Sequence, residues 1–344
     1  MSKMRLLQAA AAAVAIAGFA APAPAEAQGR LTMYCGPQEE WCQLVVTEFE
    51  KATGIKVAMT RKSSGEIYAQ VKAEKDNPKG DIWWGGTGDP HLQAAEEGLT
   101  MAYESPMNKE MQDWALSQWQ VSKKRTIGVY SGALGFGFNT EQLAKKNLPE
   151  PKCWADLVKP EYKGEVQVAN PHSSGTAYTL VATVVQLWGE QGGFDYLKKL
   201  NVNVNQYTKS GAAPIVAAAR GETLIGIVFM HDAITQSVRK FPIRTVAPCE
   251  GTGYEIGSMS IIEGARNLDS AKKFYDWALT PAAQALGAKA ESYQVPSNKN
   301  TPTPPQAPKL SEIKLINYDF QKFGSADERK RLLTRFDAEI KISN

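Results

Sequence analysis

"TIGVYSGALGFGFN", residues 126–139, is the stretch whose reading decides the fold. It reads as one long extended segment in which Gly128, Gly132, Ala133, Gly135 and Gly137 keep the side chains small. Such a segment can leave one packed layer and enter another, and what flanks it shows whether it does. Upstream, "LTMYC" (31–35), "IKVAMTRK" (55–62) and "DIWWGG" (81–86) read as strands. They are separated by helical stretches, the first with Trp41, Leu44, Val45 and Phe49 at helical spacing and Gly54 as its stop. Downstream, "EVQVANPHSSGTAYTLVATVVQLWG" (165–189) is strand, loop and long helix, "GAAPIVAAARGE" (211–222) a helix, and "TLIGIVFMHDA" (223–233) a buried strand. "GYEIGSMSII" (253–262) leads back out, followed by helices at 268–279 and 281–288, a Pro-rich arm at 301–308 and a polar C-terminal helix. Alternating short strands and helices predict α/β layers with largely parallel sheets. The chain therefore divides into two lobes with crossings near 126–131 and 256–262. Lobe 1 takes residues 28–127 plus 262–344, including the arm and last helix, and lobe 2 takes 128–261. Two lobes joined by two crossover strands suit hinge closure around a ligand in the cleft.

The start of the chain is set apart. Lys3 and Arg5 precede an alanine-rich apolar run from Leu6 to Ala21, and Ala25-Glu26-Ala27 gives the small-x-small pattern of a cleaved signal peptide. The run is too short for a bilayer span and is followed by Pro22 and Pro24. Residues 1–27 are read as a signal peptide, cleaved near Ala27, which places the mature chain in a bacterial periplasm. No cysteine stands at the cut, so no lipid anchor is expected.

The formal charge is +3, too near neutral for a nucleic-acid or membrane footprint. Four cysteines in an oxidising compartment predict two disulfides. Cys35 and Cys42 flank a short Gly36-Pro37 loop, which leaves Cys153 with Cys249. A zinc site is the rival, but no Cys-x-x-Cys or clustered His accompanies them.

Three Ser/Gly-bearing junctions precede helices: "KSSGE" (62–66), "HSSGTAY" (172–178) and "KSGAAP" (209–214). Helix starts leave N–H groups unpaired and carry partial positive charge, so each is a seat for an anion, although Ser and Thr also serve there as plain N-caps. "GALGFG" has the wrong spacing for a dinucleotide loop, and no Walker lysine-serine pair occurs. His91, His172 and His231 show no metal-ligand spacing, and no metal or cofactor is expected. A hydrolase triad could be drawn from Ser174, His231 and Asp232, but no G-x-S-x-G elbow is present and neighbours on a strand point to opposite faces. Trp84, at a strand end, is a candidate to stack on a sugar or ring face.

Together, "YCGPQEEWCQLVVTEFEKATGIKV", "KGDIWWGG", "GALGFGFNTEQL", "AAARGE" and "CEGTGYEIG" resemble the periplasmic solute-binding proteins of ABC importers, in the cluster containing the ferric-binding proteins. The resemblance spans the mature chain and implies the two-lobed type II periplasmic-binding-protein fold. Ferric-binding members carry a tyrosine pair where this chain has Phe229, Met230, His231 and Asp232, so hard oxygen ligands for iron are missing. "FMHDA" with "GTGYE" is similar to the AfuA-type hexose-phosphate binders. That likeness implies His231, Asp232 and Glu255 on sugar hydroxyls. It implies Ser63, Ser64, Gly65, Ser174, Gly175 and Thr176 on the phosphate, with Lys209 and Ser210 as additions. The expectation is a monomeric, non-enzymatic receptor for a phosphorylated small molecule, most simply a hexose phosphate, delivering it to an inner-membrane permease with a cytoplasmic ATPase. Another organophosphate or phosphonate, a polyamine, ferric iron, or an exported serine hydrolase are the alternatives.

Overall fold

The computed structural model describes residues 29–340 and 342, and the expected signal peptide lies outside the described residues. The chain opens with β1 (Arg30–Cys35), α1 (Glu39–Thr53), β2 (Lys56–Arg61), α2 (Ser64–Ala73), β3 (Ile82–Trp84), α3 (Gly88–Glu96) and α4 (Asp113–Val121). α1 stops where Gly54 turns left-handed at φ 73° and caps Glu50 O. Then come β4 (Ile127–Asn139), α5 (Thr140–Lys145), β5 (Val166–Ala169), α6 (Gly175–Asn203, broken at Gly189), β6 (Val204–Thr208) and α7 (Ala213–Arg220). They are followed by β7 (Ile225–Phe229), α8 (Met230–Val238), β8 (Ile243–Val246) and β9 (Tyr254–Ile261). The chain ends with α9 (Leu268–Ala278), α10 (Pro281–Gln284), α11 (Leu286–Lys289), β10 (Val295–Pro296), α12 (Phe320–Phe323) and α13 (Ala326–Glu339).

β4 is buried along all thirteen residues and belongs to two sheets. Its first half, to Ala133, pairs antiparallel with β9, and its second half, from Leu134, pairs with β7 and β8. The first sheet runs β2-β1-β3-β9-β4 and the second β4-β7-β5-β6. Pairs between strands joined by crossover helices are parallel, as for β1 with β2 and β3 and β5 with β6 and β7. The antiparallel pairs are those made by β4 and β9. The change of sheet falls at Ala133/Leu134, and β9 lies wholly in the first sheet. Residues 128–133 and 254–261, which the sequence reading gave to lobe 2, are thus hydrogen-bonded into the sheet of lobe 1.

A second correction concerns the tail. The arm stays with the first lobe, where Pro302–Gln306 line one cavity together with Trp41, Trp277 and Ala278. The last helix does not. Leu332, Leu333, Phe336 and Ile340 join the core of the second lobe with Tyr178, Val181 and Phe194 of α6. A helix with an apolar stripe must bury it where a matching face is free, and α6 offers one. The chain thus crosses between the lobes a third time, with Tyr318 of that passage buried in the second core.

Both expected disulfides are present, Cys35–Cys42 and Cys153–Cys249. The second closes a separation of 96 residues, and a loop of that size corresponds to about 4 kcal/mol of denatured-state entropy. Replacing both Cys153 and Cys249 by serine should lower the unfolding free energy by about that amount in urea melts. An unchanged midpoint would mean that Glu250, which accepts from Trp154 N and Ala155 N at 2.8 Å, holds the segment without help.

Candidate ligand site

One cavity between the lobes is lined by Gly36, Pro37, Gln38, Arg61, Ser63, Ser64, Gly86 and Thr87 from the first lobe and by Ser174, Gly175, Thr176, Gly211, Ala212, Phe229, His231 and Asp232 from the second. Tyr130 of β4, Glu255 of β9 and Gln294 beside β10 close its floor. β4, the strand shared by the two sheets, and its first-sheet neighbour β9 contribute Tyr130 and Glu255 to it, so the cavity sits at the joint between the two sheets.

Helix starts form one end. The starts of α2, α3, α6 and α7 line it through Ser64, Thr87, Gly175 and Ala212, and those of α1 and α8 through Gln38 and Phe229, so the positive ends of several helix dipoles face one cavity. Ser64 Oγ accepts from Thr87 N at 3.0 Å, tying the starts of α2 and α3. Neither Thr87 nor Ser174 uses its hydroxyl to cap its own helix, and Thr87 Oγ1 is buried without a partner. Glycine is required at 175, where a Cβ would lie 1.6 Å from Thr87 Oγ1, so the two lobes approach backbone to side chain at this point.

The other end holds buried titratable groups. His231 is 2% exposed, Asp232 6% and Glu255 4%. The sequence reading ended a strand in His231-Asp232. Instead β7 stops at Phe229, and both residues sit in the first turn of α8, where neighbours are about 100° apart and both face inward. Gln294 Nε2 meets His231 Nε2 at 2.9 Å and Glu255 Oε1 at 3.4 Å. Gln38 reaches across the cleft to donate to Asp232. Burial pushes His231 below its ordinary 6.5, against the pull of Asp232, so the ring is neutral. Burial, reinforced by the charges of Asp232 and Asp89, pushes Glu255 well above the usual carboxylate range.

Eight of the residues expected from sequence line this cavity: Ser63, Ser64, Ser174, Gly175, Thr176, His231, Asp232 and Glu255. Four do not. Gly65 donates its N–H to Ser173 O at 3.0 Å across the lobes, which makes it an interlobe clasp. The Lys209 ammonium pairs with Glu66 at 2.8 Å on the surface, while its carbonyl accepts from Ser63 and Ser173. Ser210, one residue short of Gly211, lies on a neighbouring groove lined by both lobes, which shares Gln38, Arg61 and Ala212 with the cavity. Trp84 packs edge-on to Trp41, ring centres 5.1 Å apart, and lines a separate apolar cavity with Trp277 and Tyr293. The sequence reading missed Gln38, Arg61, Thr87, Tyr130 and Gln294. Thr87 alone left a signal, as a hydroxyl immediately before a helix that follows a strand. No hydrogen bond joins Ser174 to His231 among the described residues. His231 Nε2 is met by Gln294, and Nδ1 lies 2.8 Å from where a Cβ on Gly132 would stand.

Glu255 holds its proton more tightly in the folded chain than in the unfolded one, so its contribution to stability is full below pH 4.5 and is lost as pH rises through the raised value. Glu255→Gln removes that loss. The unliganded variant should melt above the parent at pH 7.5 and match it at pH 4. A variant that melts lower at both values would show that Glu255 is stabilising as a carboxylate.

Residues 78–322 match the family of bacterial extracellular solute-binding proteins. An uncharacterised protein of Haemophilus influenzae is 46% identical over 93% of each chain. The periplasmic binding protein AfuA of Actinobacillus pleuropneumoniae, in a structure with exogenous fructose-6-phosphate bound, is 45% identical with a TM-score of 0.88, over 92% of this chain and 100% of that one. The periplasmic binding protein P5PA is 41% identical with a TM-score of 0.88, over 91% of this chain and 100% of that one. Iron-bound HitA of Pseudomonas aeruginosa, at 18% identity and a TM-score of 0.75 over 91% and 100%, shares the fold. The chain belongs to the bacterial extracellular solute-binding protein family and is a solute-binding protein of the ABC-importer type.

Proposed function

We infer that the protein is a periplasmic receptor that captures a hexose phosphate and hands it to an inner-membrane permease driven by an ATPase. The observation that carries this reading is one cavity lined both by the starts of α2, α3, α6 and α7, drawn from both lobes, and by the buried His231, Asp232 and Glu255. The two ends suit the two halves of such a ligand. A phosphate oxygen only accepts hydrogen bonds, and the helix starts offer N–H groups and the hydroxyls of Ser64, Thr87, Ser174 and Thr176. A sugar hydroxyl both donates and accepts. Asp232 and Glu255 accept, while Gln38 and Gln294 can do either.

The free space is only about 50 Å³, because Gln38 spans it to Asp232 and the lobes are drawn together. A hexose phosphate therefore requires the lobes to part and Gln38 to swing off Asp232, with closure following around the bound molecule. Lobe rotation about β4, the strand shared by both sheets, with the chain entering the first sheet at β9 as a second connection, is the motion this topology permits. Export by a signal peptide cut near Ala27 belongs to this reading, as does the AfuA relative with fructose-6-phosphate bound.

The test is a thermal-shift screen of the chain from residue 28 with fructose 6-phosphate, other hexose phosphates, free hexoses, phosphonates, polyamines and Fe³⁺. A ligand at a hundred times its Kd adds about 2.7 kcal/mol to the folded state. A shift with a hexose phosphate and none with its free hexose is expected, and Asp232→Ala should weaken that binding by at least about tenfold, the scale of one lost charged hydrogen bond. A shift only with an amine or iron would overturn the assignment.

A further inference from the structure

Arg329, in the first turn of α13, sits in an unusual place for a cation. It is 5% exposed, and a positive charge at a helix start opposes the dipole. Among the described residues it makes no ion pair. Its Nη2 donates to Pro171 O at 3.1 Å and to His172 O at 3.2 Å, its Cζ stands 4.6 Å from the centre of the Tyr178 ring, and its Nη1 has no partner. The acid that senses it is Asp89 of α3, whose Oδ2 accepts from Tyr318 at 3.1 Å; Tyr68 and Tyr318 also face it.

The loop it holds, residues 170–174, runs directly into the start of α6. A Cβ added to Gly65 would meet His172 O at 2.3 Å, Ser173 O at 2.9 Å and Arg329 Nη2 at 3.0 Å. The guanidinium, the start of α2 and the loop before α6 thus meet behind the wall whose cavity side is Ser64, Ser174, Gly175 and Thr176. The N–H groups beyond those two carbonyls belong to His172, which donates to Asn170 Oδ1 at 2.9 Å, and to Ser173, so what reaches the cavity is the field of the charge itself. A buried cation projects its field through a low-dielectric wall with little screening.

We propose that Arg329, a buried charge held behind the starts of α2 and α6, adds to the positive field of the anion seat and so selects a doubly charged phosphate ester over a singly charged or neutral ligand. It is a positioning and specificity-determining residue that does not touch the cargo. The inference rests on the phosphate reading of the cavity.

The experiment is calorimetric titration of the mature chain at pH 7.5 with fructose 6-phosphate, a dianion there, and fructose 6-sulfate, a monoanion. The parent should prefer the phosphate by about tenfold or more, and Arg329→Gln should erase most of that preference, losing phosphate affinity far more than sulfate affinity. Arg329→Lys, which keeps the charge and folds more readily, should retain the preference within about threefold. A merely structural role predicts parallel losses for both esters, and parallel losses overturn the proposal, as does an unchanged ratio in Arg329→Gln. If that variant does not fold, collapse of the ratio in a folded Arg329→Lys does the same. A parent that binds neither ester removes the phosphate reading itself, and this inference falls with it.

Discussion

The whole arrangement depends on one strand being hydrogen-bonded into two sheets. β4 spends Ile127–Ala133 on β9 and Leu134–Phe138 on β7. A strand shared in this way cannot leave either sheet without breaking a ladder, so the lobes stay joined while the space above the junction stays open. The residues that must be small lie on this strand. Gly135 would place a Cβ 2.4 Å from Val246 O, and Gly132 one 2.8 Å from His231 Nδ1. The same small residues that let β4 pass between two layers let His231 sit directly on it.

From that junction the chemistry of the cavity follows. In each lobe the crossover helices begin at the same edge of the sheet, as parallel β/α units require, and that edge faces the other lobe. Their N-termini therefore converge without any special sequence device, and small hydroxyl residues turn the convergence into a seat for acceptor-only groups. The opposing group is costly. Three titratable side chains, His231, Asp232 and Glu255, are buried in one cavity, and burial shifts His231 and Glu255 toward their neutral forms. Gln294 and Gln38 limit the cost by contacting all three.

Most of the fold was legible because it is written in local periodicity. Gly54 marks the end of α1, and the apolar runs mark the strands buried on both faces. The core of the site was legible because hydroxyls beside glycines before a helix have few other uses in such numbers. The errors have physical reasons. Strand alternation could not say which tryptophan of "DIWW" met the cavity, and the structure buries both, Trp83 against His91 at 3.7 Å and Trp84 against Trp41. Gly65 and Ser210 lie one residue away from positions that do line the wall, and a helical turn is enough to change what a residue faces. Gln38, Arg61, Tyr130 and Gln294 belong to no motif. They come together only because β1, β2, β4 and β10 share a sheet, which is long-range information. The C-terminal helix was given to the first lobe because chain order suggested it, whereas the free face of α6 decided it.

The interlobe contacts show where the energy of closure must come from. Gly65 N to Ser173 O, Ser63 Oγ to Lys209 O at 3.4 Å, Thr235 Oγ1 to Glu291 O at 2.6 Å and the exposed Lys209–Glu66 and Arg239–Glu291 pairs lie mostly near solvent, and each such contact nets about 1 kcal/mol or less. Gln38 to Asp232 is internal, but it uses the very atoms a polar ligand needs. Among the described residues, Thr87 Oγ1, His231 Nδ1 and Gln294 Oε1 are buried without a hydrogen-bond partner. Under the proposed reading, a ligand that satisfied such atoms would bind the closed form more tightly than the open one, and that difference would draw the lobes together. Moving the balance from 1:99 to 99:1 takes about 5.5 kcal/mol of differential affinity, within reach of a few charge-assisted hydrogen bonds made only when both lobes are in place.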